Sequence, residues 1–253
     1  MPPSTSRLRG EILIVLALSL GMSAFYAIAG FSRRLSIETP LNEQQATINR
    51  SLADESIFDL VYQLLGIASA WAPVLLVGFL LWSSQKPHLG ALGWSTPRWP
   101  DLWWGVGLAA LIGIPGLGVY VTGVQLGLTV QVVPTALEQY WWTIPVLLLR
   151  ALTAGVVEET IAVGYLYRRL SQLAWSPVAI ILTQAILRGA YHLYQGAGAF
   201  VGNVAMGLIF GWYYHRTGRL APLIAAHSLI DAVAFVGYPL ISADVVQTLG
   251  FAG

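Results

Sequence analysis

Ionisable side chains interrupt the apolar second half of the chain, and these are the residues whose types and spacing could do chemistry. They are Arg150, Glu158, Glu159, Arg188, His192, His227 and Asp231. The apolar stretches of the first half hold only Glu11 and Asp59, both near the ends of those stretches. An ionised group at the centre of a membrane helix costs about 2.5–3.5 kcal/mol, so it persists where it faces a partner or a wet cavity. We therefore expect the functional site within residues 141–241.

Two adjacent carboxylates, Glu158 and Glu159, lie within the apolar run 154–160. Adjacent residues of an α-helix point about 100° apart, so one carboxylate can face a cavity while the other pairs with a neighbouring helix. A carboxylate in a low-dielectric environment takes up a proton more readily than in water, which suits a general base. Alternatively, both carboxylates are structural partners of Arg150 and Arg188.

Two histidines each lie four residues from a second ionisable residue. Arg188 precedes His192 at this spacing, and His227 precedes Asp231, so the members of each pair share a helix face. The carboxylate of Asp231 is placed to orient the imidazole of His227. A histidine in a membrane helix otherwise serves as a hydrogen-bond partner for another helix.

Two histidines and a carboxylate fit two kinds of hydrolytic site. Glu158, His192 and His227 are a ligand set that zinc uses in catalytic sites. The same groups can hold a water molecule without a metal, with the glutamate as base and the histidines orienting the water and binding an oxyanion. The sequence leaves zinc and metal-independent water activation equally open.

The composition is that of a membrane protein. Of the 253 residues, 56% are hydrophobic and 10% are charged, whereas soluble domains carry about 25% charged residues. The mean hydropathy is +0.67. The net charge of +1 gives no electrostatic reason to expect nucleic acid as a partner. The absence of cysteine excludes disulfides and a cysteine nucleophile.

Apolar segments predict an all-α fold, a polytopic transmembrane helical bundle of about seven spans (roughly six to eight), since a span needs about 20 apolar residues. The predicted spans are 11–31, 57–82, 103–130, 141–167, 176–196, 199–215 and 220–241. They divide the chain into N-terminal transmembrane helices with a polar loop at 32–56, a catalytic helical core and a short C-terminal tail. These three parts are residues 1–140, 141–241 and 242–253.

The distribution of Lys and Arg among the loops predicts an N-terminus on the inside, and we expect the plasma membrane as the location and membrane lipid as a partner. The first span has an alternative interpretation. Ala27-Ile28-Ala29 resembles a small-residue cleavage site after an apolar run, so residues 1–29 are either a span or a removed signal peptide.

At its ionisable residues the chain resembles the CPBP (CaaX protease and bacteriocin-processing) family, also called Abi, whose members carry EExxxR, FxxxH and HxxxN or HxxxD motifs on separate helices. Glu158-Glu159 matches the first motif, His192 the second, and His227 with Asp231 the third. The resemblance implies a helical fold and peptide-bond cleavage in the membrane. It also implies that Glu158 is the general base.

The same resemblance implies supporting roles for the remaining motif residues. Glu159 would support the base, His192 and His227 would lie at the water or metal, and Asp231 would lie close by. Two positions depart from the motifs, because Val163 replaces the arginine and Arg188 replaces the phenylalanine. We predict that Arg188 pairs with Glu159 across the helix interface and leaves Glu158 free to face the histidines. If it does not, a non-proteolytic relative is favoured.

Asn203 also has two interpretations. With Gly207 and Gly211 it forms an i, i+4, i+8 face for close helix packing, and its amide is also a candidate donor to an oxyanion. We interpret the chain as an intramembrane endopeptidase that takes a peptide or protein substrate from the membrane. The alternatives are a transporter, an immunity-type protein or a scaffold. The oligomeric state cannot be predicted from the sequence.

Overall fold

Helices make up most of the part of the chain that the structure describes. This structure is a computed structural model, and it describes residues 3–83, 86–87, 89–94 and 96–237. The α-helices are α1 (Thr5–Ala17), α2 (Leu20–Leu35), α3 (Ser56–Ala70), α4 (Ala72–Leu80), α5 (Trp99–Gln125), α6 (Thr143–Glu158), α7 (Leu166–Gln172), α8 (Pro177–His192), α9 (Ala197–Thr217) and α10 (Ala221–Ala232). The predicted all-α class is confirmed. The tail 242–253 and the end of the last predicted span lie outside the described residues.

Two small sheets accompany the helices. Strand β1 (Gln45–Arg50) pairs in parallel with β4 (Gln131–Ala136), and β2 (Trp82–Ser83) pairs antiparallel with β3 (Lys86–Pro87). The sequence predicted only a polar loop at 32–56. A short polar strand carries little signal by itself, because a parallel partner distant in the sequence determines whether it forms.

The predicted number of seven spans is not confirmed. Among the described residues, two helical segments are long and apolar enough to cross a membrane, Ser56–Leu80 and Trp99–Gln125. A third is counted if α1 and α2, which meet at a bend of 52°, act as one span. The apolar stretches of the sequence are longer than some of the helices that they form. In the structure α8 has 16 residues, or about 24 Å at 1.5 Å per residue, against the roughly 30 Å of a hydrocarbon core.

Charge and hydrophobicity are distributed as in a protein that contacts lipid. Large apolar side chains face outwards, and Ile114 of α5 is 74% exposed. Ionisable side chains are enclosed instead, including Glu159, Arg188 and Asp59. A water-soluble fold shows the reverse preference. Together with the apolar helices, this pattern indicates an integral membrane protein.

Helices α1 and α2 belong to the core of the fold. Ile12 and Val15 of α1 and Ala24 of α2 lie in the main hydrophobic cluster. Glu11 of α1 forms an ion pair of 2.5 Å with Arg169 of α7. The first two helices therefore pack against the part of the chain that follows the two glutamates.

Close packing of α10 against α6 depends on Gly155. A methyl group added at this glycine would meet the hydroxyl of Ser228, and would lie 3.0 Å from the carbonyl oxygen of Ile224. We expect Gly155→Ala to destabilise the protein by about 1–3 kcal/mol, because overpacking outweighs the better helix propensity of alanine. Gly107→Ala is the control, since a methyl group there meets nothing within 4 Å. Equal thermal unfolding temperatures for the two variants would contradict the prediction.

Candidate active site

The two adjacent glutamates lie where the helix changes type. Helix α6 ends at Glu158, a π-helical segment covers Glu159–Tyr165, and α7 begins at Leu166. A π-helix is wider than an α-helix, because its hydrogen bonds run from i to i+5, and it is frequent at functional sites. The sequence predicted a continuous α-helix through this region, so the π-helical segment is a feature that the periodicity did not reveal.

Glu159 is fully enclosed and bound by two cationic or hydrogen-bonding partners. Its Oε1 atom lies 2.6 Å from Nη2 of Arg188 and 2.6 Å from Nδ1 of His227. The ion pair predicted between Arg188 and Glu159 is therefore present. Each of these two groups compensates the charge of the other. Neither is then left as an unpaired charge in a low-dielectric environment.

Glu158 keeps limited access to its surroundings, with 17% of its side chain exposed. The hydroxyl of Tyr191 donates a hydrogen bond of 2.6 Å to its Oε2 atom. The same oxygen lies 3.6 Å from Nη1 of Arg188 and 4.0 Å from Nε2 of His227. The prediction that Glu158 would be left free of Arg188 is wrong, because one guanidinium reaches both carboxylates.

The two carboxylates were expected to point in different directions, but each of their partners is shaped so that it can reach both. Arg188 presents two Nη atoms, one to each glutamate, and His227 presents Nε2 to Glu158 and Nδ1 to Glu159. A planar group with two separated nitrogens can bridge side chains that point in different directions. Adjacent residues on one helix thus contribute to a single cluster.

His227 is oriented mainly from another helix. Asp231 was predicted to orient this imidazole, but its Oδ2 atom lies 3.6 Å from Nε2, beyond hydrogen-bond distance. The short contact belongs to Glu159, which accepts from Nδ1. The neighbouring helix can approach the ring more directly than a residue one turn away on the same helix. Asp231 instead flanks the Nε2 side of the ring.

His192 is oriented by its own helix. Its Nδ1 atom lies 3.0 Å from the carbonyl oxygen of Arg188, one turn earlier in α8. A proton on Nδ1 makes this a hydrogen bond and leaves Nε2 with a free lone pair. The ring lies close enough to Glu158 and His227 to interact with both electrostatically.

Two further residues singled out in the sequence lie elsewhere. Arg150 donates to Gln63 of α3 rather than to either glutamate of the cluster. The amide of Asn203 donates to the carbonyl oxygen of Ala199 in α9, at 3.0 Å. The structure therefore gives Asn203 a bond within its own helix and no hydrogen bond to the cluster.

Tyr191 is a site residue that the sequence analysis missed. It is buried, and its hydroxyl is the hydrogen-bond donor nearest to Glu158 among the described residues. Its position directly before His192 was the available signal. On an ideal α-helix, adjacent residues face about 100° apart, so Tyr191 was not assigned to the face that carries the histidine.

The side chains proposed as zinc ligands are not assembled around a metal position. In residues 3–83, 86–87, 89–94 and 96–237, no three His, Cys, Asp or Glu side chains are grouped so that they could hold a metal ion. The geometry does not fit the set of Glu158, His192 and His227 as zinc ligands, so we assign no step to a metal.

Comparison with known proteins identifies the part of the chain that holds this cluster. Residues 140–233 match the family model described as type II CAAX prenyl endopeptidase Rce1-like. The matched segment includes all three motif helices and confirms the resemblance. No curated protein and no solved structure matches the chain.

Proposed function

Since residues 140–233 match the model of the Rce1-like type II CAAX prenyl endopeptidases, we propose that this chain is an intramembrane endopeptidase in which Glu158 activates a water molecule. The match to a family of proteases supports the proposal that this chain is an enzyme. The apolar helices support the proposal that its site lies within the membrane. The family description also makes a prenylated CAAX peptide the first substrate to test.

Glu158 is assigned as the base because the two glutamates differ in exposure and in the partners that they contact. Glu159 is enclosed and engaged with Arg188 and His227, whereas Glu158 retains 17% exposure. In the described part of the chain, Oε1 of Glu158 accepts no hydrogen bond, because Tyr191 and Arg188 approach Oε2. A general base needs an oxygen that a water molecule can reach, and Oε1 of Glu158 meets that need.

The two histidines support the placement of this water. Nε2 of His192 has a free lone pair when Nδ1 donates to the backbone. Nε2 of His227 lies 4.0 Å from Glu158, a gap that a water molecule can bridge. We propose that the water lies between Glu158 and these two nitrogens, with Asp231 beside it.

The reaction then proceeds by two proton transfers. Glu158 takes a proton from the water while the water oxygen bonds to the carbonyl carbon of the peptide. The carbonyl oxygen becomes an oxyanion, for which Arg188 and the hydroxyl of Tyr191 supply nearby positive potential. Glu158 passes its proton to the amide nitrogen, the carbon–nitrogen bond breaks, and a carboxyl and an amine product leave.

Cleavage by the purified chain tests the proposal. An internally quenched farnesylated CAAX peptide is incubated with the protein in detergent micelles, where no ion gradient exists. We expect hydrolysis, and we expect His192→Gln to lower the rate. Absence of cleavage, together with vesicle transport that follows a pH gradient, would reject the proposal in favour of a transporter.

Replacement of Tyr191 tests the contact that the sequence analysis missed. Tyr191→Phe removes the hydroxyl that donates to Glu158 at 2.6 Å and retains the ring. We expect kcat to fall by about tenfold, because one hydrogen bond to a charged group contributes about that factor. We expect KM to change little. Tyr26→Phe is the control, because Tyr26 is an exposed tyrosine of α2 that is 75% accessible. Wild-type kcat in Tyr191→Phe would show that this hydroxyl contributes nothing to catalysis.

A further inference from the structure

A groove of about 530 Å³ opens where helix α5 begins, and none of its residues takes part in the proposed hydrolysis. It is lined by Pro97, Arg98, Trp99, Pro100 and Leu102. Strand β4 contacts the other half of this helix, because Val132 donates to the hydroxyl of Tyr120 at 2.8 Å. The groove therefore opens at the end of the helical bundle that lies away from β1 and β4.

The start of α5 reaches the level of the headgroups of a membrane. The helix has 27 residues, or about 40 Å at 1.5 Å per residue, which exceeds the roughly 30 Å of a hydrocarbon core. Trp99 and Trp103 are 79% and 74% exposed, and exposed tryptophans concentrate at the boundary between hydrocarbon and headgroups. Leu111 and Ile114, further along α5, are exposed as well. A molecule in the groove therefore lies at this boundary, with apolar helix surface continuing from it.

Arg98 brings an exposed guanidinium to the groove. Asp101 does not form an ion pair with it, because both oxygens of this carboxylate accept from Arg219, at 2.9 Å and 2.6 Å. The charge of Arg98 acts on Asp101 more weakly than that of Arg219 does. A guanidinium binds a phosphate group through two parallel hydrogen bonds. Arg98 is therefore available to an anionic group in the groove.

The end of the bundle that holds the groove carries an excess of positive charge. Arg98 and Arg216 are exposed there, and the turn after α9 is held to the start of α5 by the ion pair of Arg219 with Asp101. Asp101 is buried, so it presents little negative charge to the surroundings. The segments that flank β1 at the opposite end expose the carboxylates of Glu38, Glu43, Asp54 and Glu55. A basic surface at headgroup level attracts anionic lipids.

We propose that this groove binds an anionic phospholipid, with the phosphate at Arg98 and the acyl chains along the exposed apolar face of α5. The positive charge favours an anionic lipid over a zwitterionic one. The apolar surface that continues from the groove favours a lipid over a free phosphate ion, which has no acyl chains to bury. The proposal does not depend on the proposed peptidase function.

A lipid held on α5 also stabilises the fold around the glutamates and histidines. Helix α5 packs closely on α10, since a methyl group added at Gly105 would lie 2.7 Å from Cβ of Ala225. His227 lies on α10, two residues after that contact. A ligand that binds the folded protein and not the unfolded chain raises the unfolding temperature. Binding at the groove is therefore measurable as thermal stabilisation.

Two lipids with the same acyl chains test this recognition. The purified protein in detergent micelles is titrated with dioleoyl phosphatidylglycerol or with dioleoyl phosphatidylcholine, and native mass spectrometry gives the affinity of the first bound lipid. We expect the anionic lipid to bind about fivefold more tightly, the contribution of one arginine at headgroup level. Arg98→Gln should abolish this preference, and phosphatidylglycerol should then stabilise the variant less than the wild type.

Arg33→Gln and Arg216→Gln are the matched controls, because each removes one exposed arginine that does not line the groove. Arg33 precedes Arg34, which donates to the carbonyl oxygen of Gln45 in β1, so it lies at the opposite end of the bundle. Arg216 lies at the same end as the groove. Both variants should keep the preference for the anionic lipid. A loss in either one as large as that in Arg98→Gln would indicate a general effect of surface charge and would overturn the assignment to the groove.

Four other results would also overturn the proposal. Two of them are equal binding of the two lipids by the wild type and an unchanged preference in Arg98→Gln. The third is displacement of phosphatidylglycerol by inorganic phosphate at millimolar concentration, which would indicate a site for a free anion. The fourth is a lipid-free dimer that Arg98→Gln abolishes, which would identify a second copy of the chain as the occupant.

Discussion

Replacing Glu158 with glutamine is expected to lower kcat by about 10²–10⁴-fold while the protein remains folded and binds its peptide substrate. Glutamine keeps the size of the side chain but cannot take a proton from water, and proton transfer by a positioned base contributes a factor of this size. Oε2 is the atom that Tyr191 and Arg188 approach, and an amide oxygen can still accept from both. The measurement is kcat and peptide affinity for the purified variant in detergent.

Glu159→Gln is the informative comparison. This change leaves the buried guanidinium of Arg188 without its carboxylate at 2.6 Å and weakens the bond that orients His227. We expect a loss of thermal stability that Glu158→Gln does not show, because an unpaired buried charge is costly. Wild-type cleavage by Glu158→Gln would eliminate Glu158 as the base. A stability loss confined to Glu158→Gln would reverse the assigned roles.

Removal of Arg188 is expected to produce the largest loss of stability. Arg188 is fully buried and contacts Glu159 at 2.6 Å, and breaking a buried pair on one side costs about 3–5 kcal/mol. Arg188→Phe restores the family motif at this position but leaves both glutamates without their cation. Thermal unfolding in detergent measures the loss.

Moving the positive charge back to its motif position should recover part of this loss. Val163 lies four residues after Glu159, so an arginine there can reach back along the helix. Recovery is partial, because Val163 is 1% exposed and a larger side chain must displace its neighbours. A variant with Arg188→Phe and Val163→Arg that is no more stable than Arg188→Phe alone would contradict the exchange of charge between the two helices.

The contact between Arg188 and Glu159 could be predicted from the sequence because it follows from charge. A guanidinium cannot deprotonate and a carboxylate in an apolar helix needs a partner, so the two unmatched motif positions had to compensate each other. The prediction required no knowledge of the exact helix geometry. The helical class followed in the same way from apolar length.

The details within the cluster could not be predicted because they depend on geometry that a 3.6-residue period does not contain. The π-helical segment Glu159–Tyr165 is one such detail. Another is that Arg188 and His227 each present two nitrogens and so reach both glutamates. The orientation of His227 by Glu159 instead of Asp231 results from how closely α10 approaches α6 across Gly155. The pairing of β1 with β4 joins distant segments and leaves no local pattern in the sequence.

The most direct test of the central claim is mass spectrometry of a farnesylated CAAX peptide after incubation with the purified chain in water labelled with heavy oxygen. A water activated by Glu158 predicts a single cut, with the label in the new carboxyl group, and formation of this product about 10²–10⁴-fold more slowly by Glu158→Gln. An uncut peptide with the wild-type protein, or the same labelled product at the same rate from Glu158→Gln, would contradict it.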